Sequence, residues 1–272
     1  MTAAPTARAA RSPFARYRHS LWLLTQRDLR VRYTTSVLGY LWSILDPLMM
    51  SAIYWFVFTV VIKRDVGEDP YIVFLLCGLL PWMWFSTSIN ESTRAFLKDA
   101  KLVRSTKLPR SIWVLRVVAS KGIEFLLSIP VLAGFALAFA LFDAESDLTL
   151  HWTALLWIPA IILQAALIVG LGLIVAPIVV FFRDLERAVK LIMRFMFYAT
   201  PIVYSFALLP QSLHLLASFN PLAGIFALYR SAFFPQELEW LTIGIGAAMS
   251  LAILGIGLLV FKRCERAVLK EL

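Results

Sequence analysis

Residues 92–110, STRAFLKDAKLVRSTKLPR, carry six cations against the single acid Asp99. They follow an apolar run that contains Gly78-Leu79-Leu80-Pro81-Trp82 and precede another that begins at Ile112. A transmembrane helix needs about 20 mostly apolar residues, and Lys and Arg are held on the cytoplasmic side during insertion. A short basic link between two such runs therefore reads as a cytoplasmic turn in a chain that crosses the membrane repeatedly.

Composition points the same way. Of 272 residues, 60% are hydrophobic and only 16% charged, and the mean hydropathy is +0.78, values of the multi-spanning membrane class. Six stretches qualify as spans: residues 37–62, 71–89, 112–142, 152–182, 191–209 and 240–261. The third and fourth are long enough to tilt or to extend beyond the bilayer. The expected fold is an all-α integral membrane domain of six transmembrane helices over residues 37–261. Residues 1–19 read as a disordered cytoplasmic tail, 20–36 as an N-terminal interfacial amphipathic helix and 262–272 as a cytoplasmic C-terminal tail. No secretory signal is expected, because residues 21–24 give only four apolar positions before Gln26, Arg27 and Asp28.

The cations fix the orientation. Arg8, Arg11, Arg16, Arg18, Arg27, Arg30 and Arg32 precede the first span; Arg183, Arg187 and Lys190 follow the fourth; Lys262, Arg263, Arg266 and Lys270 follow the sixth. With the basic link they all fall on one side. The other connections hold Asp65, Glu68, Asp69, Asp143, Glu145, Asp147, Glu237 and Glu239 against Lys63, Arg64 and Arg230. Both termini are cytoplasmic on this reading, as an even number of spans requires. The net charge of +9 thus follows topology and does not form a nucleic-acid-binding stripe.

Residues 210–239 are not an ordinary hydrophilic loop. Two apolar segments, 212–219 and 222–234, are too short to span and are split at Asn220-Pro221. They read as a re-entrant extracytoplasmic helical hairpin between the fifth and sixth spans, or as an outer amphipathic cap that only packs.

Catalytic chemistry is not indicated. The sequence has no P-loop pattern, and His19, His151 and His214 are too scattered for a metal-dependent hydrolase. Cys77 and Cys264 fall in a span and a tail, so neither a bridge nor a metal site is expected. The chain is expected to be no enzyme and to bind no metal or cofactor, so another subunit or an ion gradient must supply the energy of any work it does. Among charges within spans, two places matter. Asp46 precedes Pro47, and reads either as a polar, kinked station on a path or as a bending device. Lys121 and Glu124, three apart on one helical face, read as an internal pair. Aromatics crowd the first two spans, among them Tyr40, Trp42, Tyr54, Trp82 and Phe85. An interfacial belt accounts for many of them; the others suit a conduit, because flat apolar rings let sugars slide. Small residues four apart, as at Ala166/Gly170, Gly172/Ala176, Gly244/Ala248 and Gly246/Ser250, permit close helix packing.

The ordered motifs resemble those of permeases of the type-2 ABC exporters for lipid-linked polysaccharide. They comprise Arg27-Asp28-Leu29-Arg30-Val31-Arg32-Tyr33, Leu38-Gly39-Tyr40-Leu41-Trp42, Asp46-Pro47, residues 78–85 and residues 102–110. Phe182-Arg183-Asp184, Thr200-Pro201-Ile202-Val203-Tyr204 and Phe219-Asn220-Pro221-Leu222 continue the series. No single piece is specific, but their order over residues 27–234 is.

The resemblance implies an ATP-driven exporter subunit in the bacterial cytoplasmic membrane. It implies a homodimer with the path between protomers, bound to two copies of a cytoplasmic P-loop ATPase that holds the ATP and Mg. Residues 94–104 would form the cytoplasmic coupling helix between spans 2 and 3, with Arg94, Lys98, Asp99, Lys101, Leu102 and Arg104 facing the ATPase; its cations serve equally as a topology signal. Arg27, Arg30 and Arg32 would meet the phosphate head of the lipid-linked glycan, for which guanidinium forks are suited. Trp22, Leu29 and Tyr33 would share one flank of the interfacial helix. Tyr40, Trp42, Asp46, Tyr54, Trp82, Phe85, Tyr198 and Tyr204 are channel-lining candidates, and Asn220 and Pro221 mark the gate. O-antigen, teichoic acid, capsule and galactan precursors all remain open as cargo. A same-fold permease for drugs or lipids, and a stand-alone ion-coupled transporter or membrane-bound transferase, are the alternatives.

Overall fold

The computed structural model describes residues 13–34, 39–62, 68–106, 108–142 and 148–272. Every regular element among them is helical, in the order α1 (Pro13–Thr34), α2 (Trp42–Trp55), α3 (Tyr71–Ser92), α4 (Ala100–Ser105), α5 (Ile112–Phe142), α6 (Trp157–Phe181), α7 (Leu185–Ala199), α8 (Gln211–Ser218), α9 (Pro221–Arg230) and α10 (Trp240–Glu271).

Among the described residues four helical segments are long and apolar enough to cross a membrane: α3, α5, α10, and α6 with its 3-10 lead-in, which together run Trp152–Phe181. α3 is the centre of the bundle. It is apolar on all sides, and a helix of that kind has to be buried all round; from Tyr71 to Phe85 only Ile72 and Met83 escape full burial. Two side chains pin it. The buried Gln164 donates to the Pro81 carbonyl at 2.7 Å, and the Trp84 indole N–H donates to the Val118 carbonyl at 3.2 Å. α5 turns many of its residues after Phe125 outward, Leu126, Leu127, Leu137 and Leu141 among them, as expected of a helix whose outer face meets lipid.

Glycine sets the closest approaches. A methyl added at Gly170 of α6 would come within 2.7 Å of the Ile253 carbonyl and Leu254 backbone of α10. Gly257 approaches the Gly170 backbone more closely still, and Gly224 of α9 lies against Thr242 and Ile243 of α10. Gly170 and Gly246 therefore do the work expected of their small-residue pairs, whereas Gly244 faces open space.

Four stretches differ from the sequence expectation. α1 begins at Pro13, within the stretch read as a tail, and α10 runs unbroken to Glu271, so the C-terminal residues extend the sixth helix. The first expected span is a helix from Trp42 that widens into π turns over Phe56–Ile62, while residues 37 and 38 lie outside the described residues. The fifth, read as residues 191–209, stops being helical at Ala199. Thr200 is extended, at φ −100° and ψ 138°, because the ring of Pro201 disfavours the helical region for the residue before it. Hydropathy reads straight through this break because the residues after it are apolar as well.

α8 and α9 are bent 98° to each other. Asn220 makes the corner: its side chain accepts the Leu222 N–H at 3.1 Å, and Pro221 begins α9 where a missing N–H costs nothing.

Candidate functional site

At the basic end of the bundle, turns over residues 93–99 lead into α4. Asp99 stands at the start of α4 but does not cap it. Its carboxylate accepts from Arg27 of α1 at 2.9 Å and from Arg116 of α5 through a short bond. Arg116 also donates to Asp28 at 3.2 Å, Arg27 lies 3.4 Å from Asp28, and the Arg116 guanidinium sits 4.8 Å above the Trp113 ring. Two acids and two arginines thus tie the first helix, the basic link and the third expected span into one knot. Arg116 is 2% exposed, so its charge is stable only because both acids answer it. Burial pushes the Asp99 carboxyl up, but Arg116 and then Arg27 outweigh that effect and hold it below its usual range.

The knot sorts the expected coupling residues. Val103 is fully buried and Leu102 half-buried, while Lys98, Lys101 and Arg104 project outward. Phe96 stacks on Phe261 of α10 at 6.2 Å, which fixes the link from its other side. Arg27 is committed to carboxylates, Arg30 is exposed, and the side chain of Arg32 lies outside the described residues. On α1 Thr25 and Leu29 are buried, whereas Trp22, two turns before Leu29 on the same flank, is exposed, and the side chain of Tyr33 lies outside the described residues.

A second clasp joins the link to α7. Arg94 and Lys190 converge on the same oxygen, Oε1 of Glu186, at 2.5 and 2.7 Å. The hydrogen bonds from Arg94 and then Lys190 lower the Glu186 carboxyl from 4.5 to about 2. A carboxyl lowered on folding stabilises the fold above its ordinary value and loses that contribution as pH falls toward 2, so Glu186 is ionised throughout the neutral range. Deeper in the bundle, Lys121 pairs with Glu124 at 3.0 Å, as its spacing suggests, and also with Glu91 of α3 at 3.1 Å.

The channel candidates divide into two layers. Trp82 and Phe85 are buried, 5.6 Å apart, behind Phe197 of α7, which contacts Trp82 at 5.6 Å and Tyr54 of α2 at 5.8 Å. Tyr198, 68% exposed, and Trp42 lie on the surface, and the Tyr204 hydroxyl donates to the Tyr198 carbonyl at 3.1 Å. Asp46 is exposed on α2, and the side chain of Tyr40 lies outside the described residues.

At the opposite end, Arg230 closes α9 with its side chain 1% exposed. It donates to the Ile202 carbonyl at 2.7 Å and the Tyr204 carbonyl at 3.4 Å, faces Glu237 at 3.4 Å, and lies 3.8 Å from the centre of the Phe74 ring. Glu237 takes a further short bond from Ser205, and Tyr71 donates to the Val203 carbonyl at 2.8 Å. The carbonyls that the break at Pro201 leaves without helical donors are thereby answered by side chains. Asn220 adds a bond to Thr200 at 2.8 Å, so the corner of the hairpin holds the same segment. The sequence reading counted Arg230 among loop cations and passed over Arg116, Glu186 and Phe197. An arginine inside the apolar run that starts at Ile112, and another inside the apolar stretch 222–234, were the signals available.

Residues 19–234 match the sequence profile of the family described as ABC-2 type transporter. An O-antigen export system permease protein RfbA of Klebsiella pneumoniae is 35% identical over 247 residues, 90% of this chain and 92% of that protein. The protein of the same name from Myxococcus xanthus is 30% identical over 82% of this chain and 83% of its own length. The polysialic acid transport protein KpsM of Escherichia coli is 26% identical over 96% of this chain and 99% of its own.

Proposed function

This chain belongs to the ABC-2 type transporter family, and from that premise we propose that it is the permease subunit of an exporter that carries polysaccharide, as a lipid-linked chain or precursor, across the bacterial cytoplasmic membrane. The names of its relatives, O-antigen export permease and polysialic acid transport protein, support that cargo class. Four long apolar helices suit a multi-pass membrane protein. In the full proposal α2 and α7 complete six crossings, both termini are cytoplasmic, and α8–α9 dip into the outer leaflet as a re-entrant pair.

The carrying observation is the Asp99 knot. It fixes the basic link to α1 and α5 while Lys98, Lys101 and Arg104 stay outward. In the proposed mechanism two copies of an ATPase press on this link in two permease protomers. The partner holds ATP and Mg and performs the hydrolysis. Lys101, Leu102 and Arg104 meet it, and Asp99 positions them. Motion passes through the Asp99 knot to α1 and α5. The exposed apolar faces of α2 and α7, with Met49, Ile53, Phe56, Ile192 and Phe195, pack against the second copy. Trp42, Tyr54, Tyr198 and Tyr204 face the conduit between protomers, backed by Trp82 and Phe85. Arg30 and Arg32 attract the anionic cargo toward the inner leaflet, and Asn220 and Pro221 belong to the outer gate.

Purification of the tagged chain from its native membrane tests the assembly. A P-loop ATPase should accompany it in equal amount, and Leu102→Asp or Lys101→Glu should release that ATPase while the permease itself remains folded. A chain that purifies alone would contradict the reading.

A further inference from the structure

Between α1, the end of α3, α5 and the start of α7 lies a cleft of about 780 Å³, within the ~300–1,000 Å³ of small-molecule sites. Its wall presents Arg94, Lys98 and Lys190 together with Asn90, Glu91 and Glu186. Arg94 and Lys190 converge on one carboxylate oxygen, the geometry of a seat for an anion. Lys98 is exposed on the same wall and makes no ion pair among the described residues. The Asn90 amide donates to the Ser86 carbonyl at 2.8 Å, but its oxygen is buried without a donor. A buried acceptor of that kind is costly until a hydroxyl or N–H reaches it. Cations beside an acceptor in want of a hydroxyl match a phosphate joined to a sugar.

Resting on the reading of the chain as a glycan exporter, we infer that this cleft receives the phosphate-bearing sugar head of the cargo, with Arg94, Lys98 and Lys190 holding the phosphate and Asn90 a sugar hydroxyl. Glu186 is the internal anion that the phosphate displaces. Because Glu186 is also the clasp between the basic link and α7, loading the cleft unties the base of α7. Cargo recognition and release of the moving helix are then one event, and the ATPase drives a helix that is free only when cargo is present.

The test uses the assembled permease–ATPase complex in nanodiscs of neutral phosphatidylcholine, titrated with farnesyl-diphosphoryl-glucose. Removing two charge-assisted bonds in a Lys98→Gln/Lys190→Gln double variant should weaken binding about tenfold or more. Glu186→Gln should instead tighten binding several-fold, a gain that misfolding does not produce. Asn90→Ala should erase the preference for this probe over farnesyl diphosphate. Unchanged affinity in all three, equal binding of phosphatidylglycerol, or loss of the ATPase from the variants would each overturn the inference; the last two would make the cleft a lipid or docking surface. A complex that exports glycan while ignoring these substitutions would overturn the cleft and leave the exporter reading standing. A wild-type complex that neither binds the probe nor exports glycan would overturn both.

Discussion

An Arg230→Met permease is expected to reach the membrane at a small fraction of the wild-type level and to unfold in detergent at a much lower temperature. The guanidinium answers the Ile202 and Tyr204 carbonyls and the Glu237 carboxylate at once. Methionine fills most of the volume and answers none of them. Breaking a buried pair by removing one partner costs about 3–5 kcal/mol, a large share of the ~5–15 kcal/mol by which a folded protein is stable. Adding Glu237→Gln should recover part of the loss, because the stranded charge is then gone while the two carbonyls still lack their donor. Thermal unfolding followed by tryptophan fluorescence reads both variants. A single variant as stable as the wild type would remove Arg230 as the support of the broken segment.

The other large effect is expected at Arg116, where the readout is coupling as well as stability. Arg116→Ala leaves Asp28 and Asp99 with Arg27 alone and detaches the basic link from α5. ATP hydrolysis by the purified complex should persist, whereas glycan export per ATP should fall about tenfold or more, because the link gives way before it moves the bundle. Asp99→Asn should act in the same direction. The double variant should be little worse than either alone, since both substitutions break one network. Measuring ATPase rate and transported glycan in the same proteoliposomes checks this, and full export by Arg116→Ala would refute it.

These two arginines also show where sequence reading stops. Long, predominantly apolar runs, as in α3, α5, α6 and α10, were legible as helices because only chain length and hydropathy were needed. The corner at Asn220-Pro221 was legible for the same local reason: a cap residue and a proline state their own geometry. The break after Ala199 was written in Pro201, but an apolar run on both sides concealed it. The knot was not legible, because Asp99 lies 72 residues from Arg27 and 17 from Arg116, and no periodicity connects them. Arg27 illustrates the consequence. Its sequence context suits a phosphate ligand, and the fold gives it a carboxylate. The cleft likewise exists only once four helices meet, so Asn90, Glu186 and Lys190 had no shared signal along the chain.

The most direct test of the central claim is to delete this chain from its host and measure glycan on both sides of the cytoplasmic membrane. Surface polysaccharide should disappear while lipid-linked glycan accumulates inside, and expression of the chain together with its ATPase should restore export. Undiminished surface polysaccharide, with no glycan retained in the cell, would contradict the assignment of this chain as a polysaccharide exporter.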